Sequence, residues 1–242
     1  MVANRKSVKP LFVINFCISL YVGINIIIQN SDKIMNPEIE NFSFVQASLH
    51  WTFMAITEIG FLNKARSVQE IELINSPPFT FYRISLHYMF TMEYMKLMES
   101  NNDRYPNNHI ASLEKFSDAV CKEVIDFVEL HNQNLQVLKS IRSSDFYTKL
   151  KGDRDKKFGH ADSDYQEYFS FRSFSDNEIE TAITQLNMFK SIMDNCTSIF
   201  DSEFVFQHID PRTDNFIRFH ARYKDYYFNN YFDAIAKGYG LW

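Results

Sequence analysis

Hydrophobic and polar positions follow one another along this chain with the period of α-helices. From Phe42 to about Lys64, the apolar residues Phe44, Ala47, Leu49, Trp51, Phe53, Met54, Ile56 and Phe61 fit a largely buried helix. Ser67 to Ile74 either continues it or forms a short helix of its own. Ser76-Pro77-Pro78 then stops the chain, because two prolines cannot extend a helix. Phe79 to Met98 is apolar nearly all round, which predicts a central helix. The run from Asn101 to Asn108 is polar and carries Pro106, the composition of a surface loop.

Ile110 to about Ile141 predicts one long helix, with Leu113, Phe116, Val120, Ile125, Val128, Leu135 and Leu138 among its apolar positions. Ser143-Ser144 breaks or kinks it, and a short segment from Asp145 to Lys151 follows. Residues 161–174 are acidic and aromatic and show no helical period. Ser175-Asp176-Asn177-Glu178 fits a capping box, with serine at the cap and glutamate three residues on. It opens a helix through Phe200 whose apolar stripe is Ile179, Ile183, Leu186, Phe189, Ile192 and Met193. A turn at Asp210-Pro211 precedes a last, aromatic-rich helix from Asp214 to Ala236. The pattern predicts an all-α bundle forming a single domain over 1–242.

The N-terminal end admits two readings. Arg5, Lys6 and Lys9 precede a mostly apolar run from Leu11 to Ile28, the layout of an anchor or leader. Asn15, Ser19, Asn25 and Gln29 interrupt it and fall within roughly a 120° arc at about 100° per residue. That arrangement suits a core helix with one polar stripe. A core helix of a cytoplasmic protein is the expectation, and a membrane anchor at 11–28 is the alternative.

Composition narrows the chemistry. The 242 residues include 24 Phe and 13 Tyr, and only six Gly and six Pro. So few glycines and prolines speak against an all-β fold and against a glycine-cradled nucleotide site. The net charge of −5 shows no general grip on nucleic acid, so any RNA contact must come from a local basic patch. Cys17, Cys121 and Cys196 lie far apart in apolar surroundings and read as reduced, buried thiols. The seven histidines are scattered, so no metal is expected, and no cofactor. Gly-x-Ser-x-Gly, the P-loop and the dinucleotide fingerprint are absent from the sequence.

What remains is Gly152-Asp153-Arg154-Asp155-Lys156-Lys157-Phe158-Gly159-His160-Ala161-Asp162. An arginine presents a fixed charge and a planar fork of donors suited to phosphate. A histidine can give or take a proton near neutral pH. By composition alone the segment reads either as a solvated turn or as a minimal kit for metal-free phosphodiester cleavage. Arg83 and His87 stand one helical turn apart on the Phe79–Met98 helix. They form a polar seam between buried helices or support the Arg154/His160 site. The run from Arg218 to Tyr227 mixes cations with aromatics, which suits either RNA stacking or a surface helix with its cations snorkelling.

Arg154 to Asp162 resembles the R-x(4–6)-H signature of HEPN-domain proteins, with the polar Asp155 directly after the arginine. Ser76-Pro77-Pro78-Phe79 leading into Tyr82-Arg83, with the helix ending Lys96-Leu97-Met98, is similar to the stretch before this motif in AbiU-type abortive-infection members. The resemblance covers a core of about 40–200, leaving 201–242 as a C-terminal helical extension. It implies a homodimeric, metal-independent endoribonuclease toxin of a bacterial anti-phage or toxin–antitoxin system. RNA is the implied substrate, and a cognate antitoxin or other defence subunit a possible partner. In such a site His160 exchanges protons with the 2′-hydroxyl or the leaving 5′-oxygen, and Arg154 holds the scissile phosphate. Asp155 orients the histidine or the RNA. Asp162 is a further orienting candidate for His160, and Lys156 and Lys157 add local positive charge. The neighbouring acids keep open a non-catalytic dimerisation or binding module.

Overall fold

The structure, a computed structural model, describes residues 42–64, 67–100, 111–155, 173–198 and 215–222, all within the unit Pro37–Trp242. Among them every regular element is helical, as the sequence pattern predicts. The elements are α1 (Phe42–Leu62), α2 (Val68–Ile74), α3 (Pro77–Leu97), α4 (Leu113–Glu123), a 3-10 turn (Ile125–Phe127), α5 (Val128–Arg142), α6 (Asp145–Asp153) and α7 (Asp176–Thr197). An eighth helix, α8, runs over 215–222. No helix among the described residues is long and apolar enough to cross a membrane. The segment 11–28, Cys17, the loop at 101–108, the turn at 210–211 and most of the final predicted helix lie outside the described residues.

Local chemistry sets most helix starts. Ser175 and Glu178 form the predicted capping box at the head of α7. Ser67 and Glu70 form a second one, which makes α2 a separate short helix. Pro77 and Pro78 begin α3 instead of only ending what precedes it. The first turn of a helix leaves its backbone N–H groups unpaired, so a missing donor there costs nothing. The predicted long helix is two helices. Val124 adopts an extended conformation (φ −128, ψ 103) between α4 and the 3-10 turn. Ile125 and Val128, assigned to the apolar stripe, are therefore exposed, Ile125 by 84%, while Phe127, Asn134, Leu138 and Ile141 turn inward.

α1 and α3 pack antiparallel and make the most extensive helix–helix contact. Ser48 Oγ donates to Glu93 Oε2 at 2.7 Å near one end, and the Tyr82 hydroxyl meets Glu58 Oε2 at 3.4 Å near the other. α3 is not buried all round: it turns one face to the core, most fully in its second half. Leu86, Phe90, Tyr94, Met95 and Leu97 are buried, whereas Phe81 and Tyr88 face outward. α7 lies against α1 and α4, and α6 is set on α3, α5 and α7. Their meeting place is an aromatic cluster. Phe90 lies 5.3 Å from Phe174 and 6.3 Å from Phe146, and Tyr94 lies 5.3 Å from Phe189, centroid to centroid. Each such pair adds about 0.5–1.5 kcal/mol beyond the area it buries.

Candidate functional site

The arginine of the motif is positioned by α6, and α6 is positioned from the core. Ser144 caps it, its hydroxyl accepting from the Tyr147 N–H at 3.2 Å and donating to the Ile141 carbonyl at 2.7 Å. The Gln185 side-chain amide also donates to that hydroxyl at 3.2 Å, and the buried Tyr94 hydroxyl donates to the Gln185 carbonyl oxygen. Burial pushes the Tyr94 phenol well above its ordinary value, with the neighbouring Tyr147 adding to the shift, so it stays a neutral donor. Phe146 and Leu150 then bury the inner face of α6. The segment expected as a lead-in to the motif is thus itself a helix, and it runs into the motif.

At the end of α6 the backbone widens into a π-type turn at Arg154 and Asp155. Helices that widen this way frequently do so at functional positions. The Arg154 side chain is 27% exposed. Its Nε donates to Asp155 Oδ1 at 2.8 Å, and its Nη1 stands 3.8 Å from Glu99 Oε1. Asp155, expected to orient a histidine or RNA, is placed on Arg154.

Glu99 follows the end of α3, and a second arginine reaches the same corner. Arg142, the last residue of α5, donates from Nε and Nη2 to the Met98 carbonyl at 3.2 and 3.0 Å. Its Nη1 pairs with Glu114 Oε2 at 2.6 Å. Two guanidinium groups therefore gather at the C-terminal end of α3, where the helix dipole is negative and cations are favoured. Neither Glu99, Glu114 nor Arg142 stands out in the sequence. The only hint is basic residues near helix ends, which is common.

The other predicted site residues fall in two groups. His160, Asp162, Lys156 and Lys157 lie outside the described residues. Arg83 and His87 are on α3 but are not brought to Arg154: at about 1.5 Å rise per residue they lie about 21 Å and about 15 Å before Leu97 along the helix axis. His87 is buried, its ring centroid 4.0 Å from that of Phe174, as part of the aromatic cluster.

A second polar cluster lies between α4, α5 and α7, and sequence reading did not foresee it. Asn134 donates to Ser117 Oγ at 3.0 Å and accepts from the Asn195 amide at 2.9 Å. Its amide also approaches Cys196 Sγ at 3.8 Å, and His131 Nδ1 lies 3.0 Å from Ser117 Oγ. Serine, histidine and cysteine in one place invite a nucleophile reading. The geometry opposes it, because Ser117 and Cys196 are both fully buried. Burial pushes the Cys196 thiol up to about 12, against a smaller lowering by Ser117. A buried protonated thiol is inert. The cluster is a packed polar network that fixes the three helices in register.

No family model, curated protein or solved structure matches this chain.

Proposed function

We propose that this chain is a metal-independent endoribonuclease of the HEPN type, acting as a homodimer in anti-phage defence or as the toxin of a toxin–antitoxin pair in the cytoplasm. The observation that carries the reading is Arg154. It stands at the widened end of a helix locked to the core, part-exposed, with its guanidinium held, among the described residues, by the carboxylates of Asp155 and Glu99. A phosphodiester is the ligand that such a fork of donors suits best. In the proposed reaction the 2′-oxygen attacks the adjacent phosphorus and the 5′-oxygen leaves. His160 takes the proton from the nucleophile or gives one to the leaving group. Arg154 neutralises charge growing on the phosphoryl oxygens. The products are a 2′,3′-cyclic phosphate and a 5′-hydroxyl, and pairing of Arg154 and His160 from two copies completes the cleft.

The test is growth arrest and RNA integrity in cells expressing the wild type or an Arg154→Ala, His160→Ala double variant, with cleavage repeated on purified protein in chelator. Chelator-resistant cleavage by the wild type alone is the expected result. Equal toxicity of both proteins, or no cleavage by either, sinks the nuclease.

One observation favours a second reading, a non-catalytic dimerisation or binding module. Arg154 and Arg142 meet at the end of α3, and Glu99 and Asp155 already balance the charge of Arg154. That is also how a purely structural arginine is placed. The stability lost in Arg154→Ala, compared with that lost in Arg142→Ala, separates the two readings.

A further inference from the structure

The two edges of the Arg154 guanidinium are held unequally. Asp155 takes the Nε edge in a hydrogen bond of 2.8 Å. On the other edge Nη1 meets Glu99 Oε1 at 3.8 Å, beyond the roughly 2.7–3.2 Å of a formed N–H···O bond. The first contact fixes the plane of the fork. The second supplies opposite charge at a distance too long for a formed hydrogen bond, so Glu99 does not take up the hydrogen-bonding capacity of those N–H groups. Both partners of that second contact are part-exposed, 27% for each side chain, which leaves room for an exchange of partners.

We infer that Glu99 is a displaceable counter-ion for Arg154: it holds the Nη edge in the resting chain and yields it to a phosphodiester, while Asp155 keeps the Nε edge in place. This rests on the reading of Arg154 as a phosphate ligand given above. Glu99 is then a positioning and gating residue, not a catalytic one. It discourages the binding of stray anions at an exposed arginine and sets a threshold that only a ligand with further contacts passes. The arrangement also accounts for an acidic residue beside a site for an anionic substrate. Its charge opposes the ligand through Arg154 and so can be removed without loss of the site.

The experiment uses the full chain and a fluorescein-labelled, 2′-O-methyl decauridylate, which binds as RNA does but offers no 2′-hydroxyl for attack. Affinity is read by fluorescence anisotropy for the wild type, E99Q, E99D, R154A and the E99Q/R154A pair. Glu99→Gln keeps the shape of the side chain and removes its charge, so binding tightens by up to about fivefold, the worth of one exposed ion pair. E99D binds like the wild type, and thermal melting of both variants reports that they are folded. In the R154A background the same Gln substitution has no effect on affinity. Tightening of equal size without Arg154 shows a general charge effect and overturns the inference. So does unchanged or weaker binding by E99Q, or an absence of binding by every protein. Cleavage of the all-ribose oligonucleotide is measured alongside and judges the nuclease separately. Arg154-dependent tightening without cleavage keeps the counter-ion and removes the nuclease, whereas cleavage with no effect of E99Q does the reverse.

Discussion

Arg154 and Arg142 approach the same end of α3 but hold it differently. Arg142 binds the Met98 carbonyl through two N–H groups and Glu114 through a third, whereas Arg154 reaches Glu99 at 3.8 Å without a hydrogen bond of ordinary length. The first is a capping clamp on a helix end. The second contributes charge and little else.

A difference in stability follows. Arg142→Ala removes both hydrogen bonds to the Met98 carbonyl and the ion pair with Glu114 and costs about 1.5–3 kcal/mol, the range for hydrogen bonds to a charged group. Arg154→Ala removes two part-exposed ion pairs, with Asp155 and Glu99, and each costs no more than about 1 kcal/mol. Urea unfolding of the two variants gives both values. A larger loss from Arg154→Ala than from Arg142→Ala marks Arg154 as structural and favours the binding-module reading.

Gly152 carries no constraint that requires glycine. A Cβ built there meets nothing within 4 Å, and the residue is helical. Gly152→Ala therefore stabilises α6 by up to about 1 kcal/mol, the difference in helix propensity between the two residues. The melting temperature rises. A fall in melting temperature shows that the end of α6 depends on the freedom of glycine.

Asn134 joins α5 to both α4 and α7 through Ser117 and Asn195. Asn134→Ala leaves those two groups short of a partner, with Ser117 fully buried, at a cost of about 1–3 kcal/mol. Denaturant midpoints measure it. A loss below half a kcal/mol, as seen at ordinary surface positions, contradicts the role given to the network.

Cys196 ties stability to alkaline pH. Its folded value of about 12 lies above its ordinary 9.0, so the folded state favours the protonated thiol. The stability contributed is complete below about pH 9 and is lost as the pH rises towards 12, by at most about 1.4 kcal/mol per pH unit. Cys196→Ala removes that part of the alkaline slope. In the native protein the half-buried Cys121 reacts with a thiol reagent before Cys196 does, and the reverse order contradicts the burial assigned to Cys196.

What could be read from the sequence was local. The Ser175–Glu178 box is written in four consecutive residues, and the buried part of the α7 stripe, Leu186, Phe189, Ile192 and Met193, follows from the helical period. The prolines were legible as punctuation, though whether they close one helix or open the next depends on which backbone donors are already free. Arg154 was legible as a residue type suited to phosphate, but Glu99 was not legible as its partner, because only the packing of α6 against α3 brings them together. The same holds for Ser117, Asn134 and Cys196, three unremarkable positions that become one network across three helices. His160 lies outside the described residues, so its role stands on the motif.

The extended residue at Val124 bears on the order in which the chain assembles. Residues 111–142 contain no glycine or proline. Nothing in the backbone chemistry of this stretch forbids one continuous helix, although the β-branched Val124 and Ile125 weaken it locally. The bend is imposed by packing, since it sets Phe127 in the core and leaves Ile125 outside. Part of that packing is made by α7, which lies against both α4 and α5 and follows them in the chain. The stretch can therefore be helical throughout before collapse and acquire its bend on docking, so that the kink is made by the fold and not a step towards it.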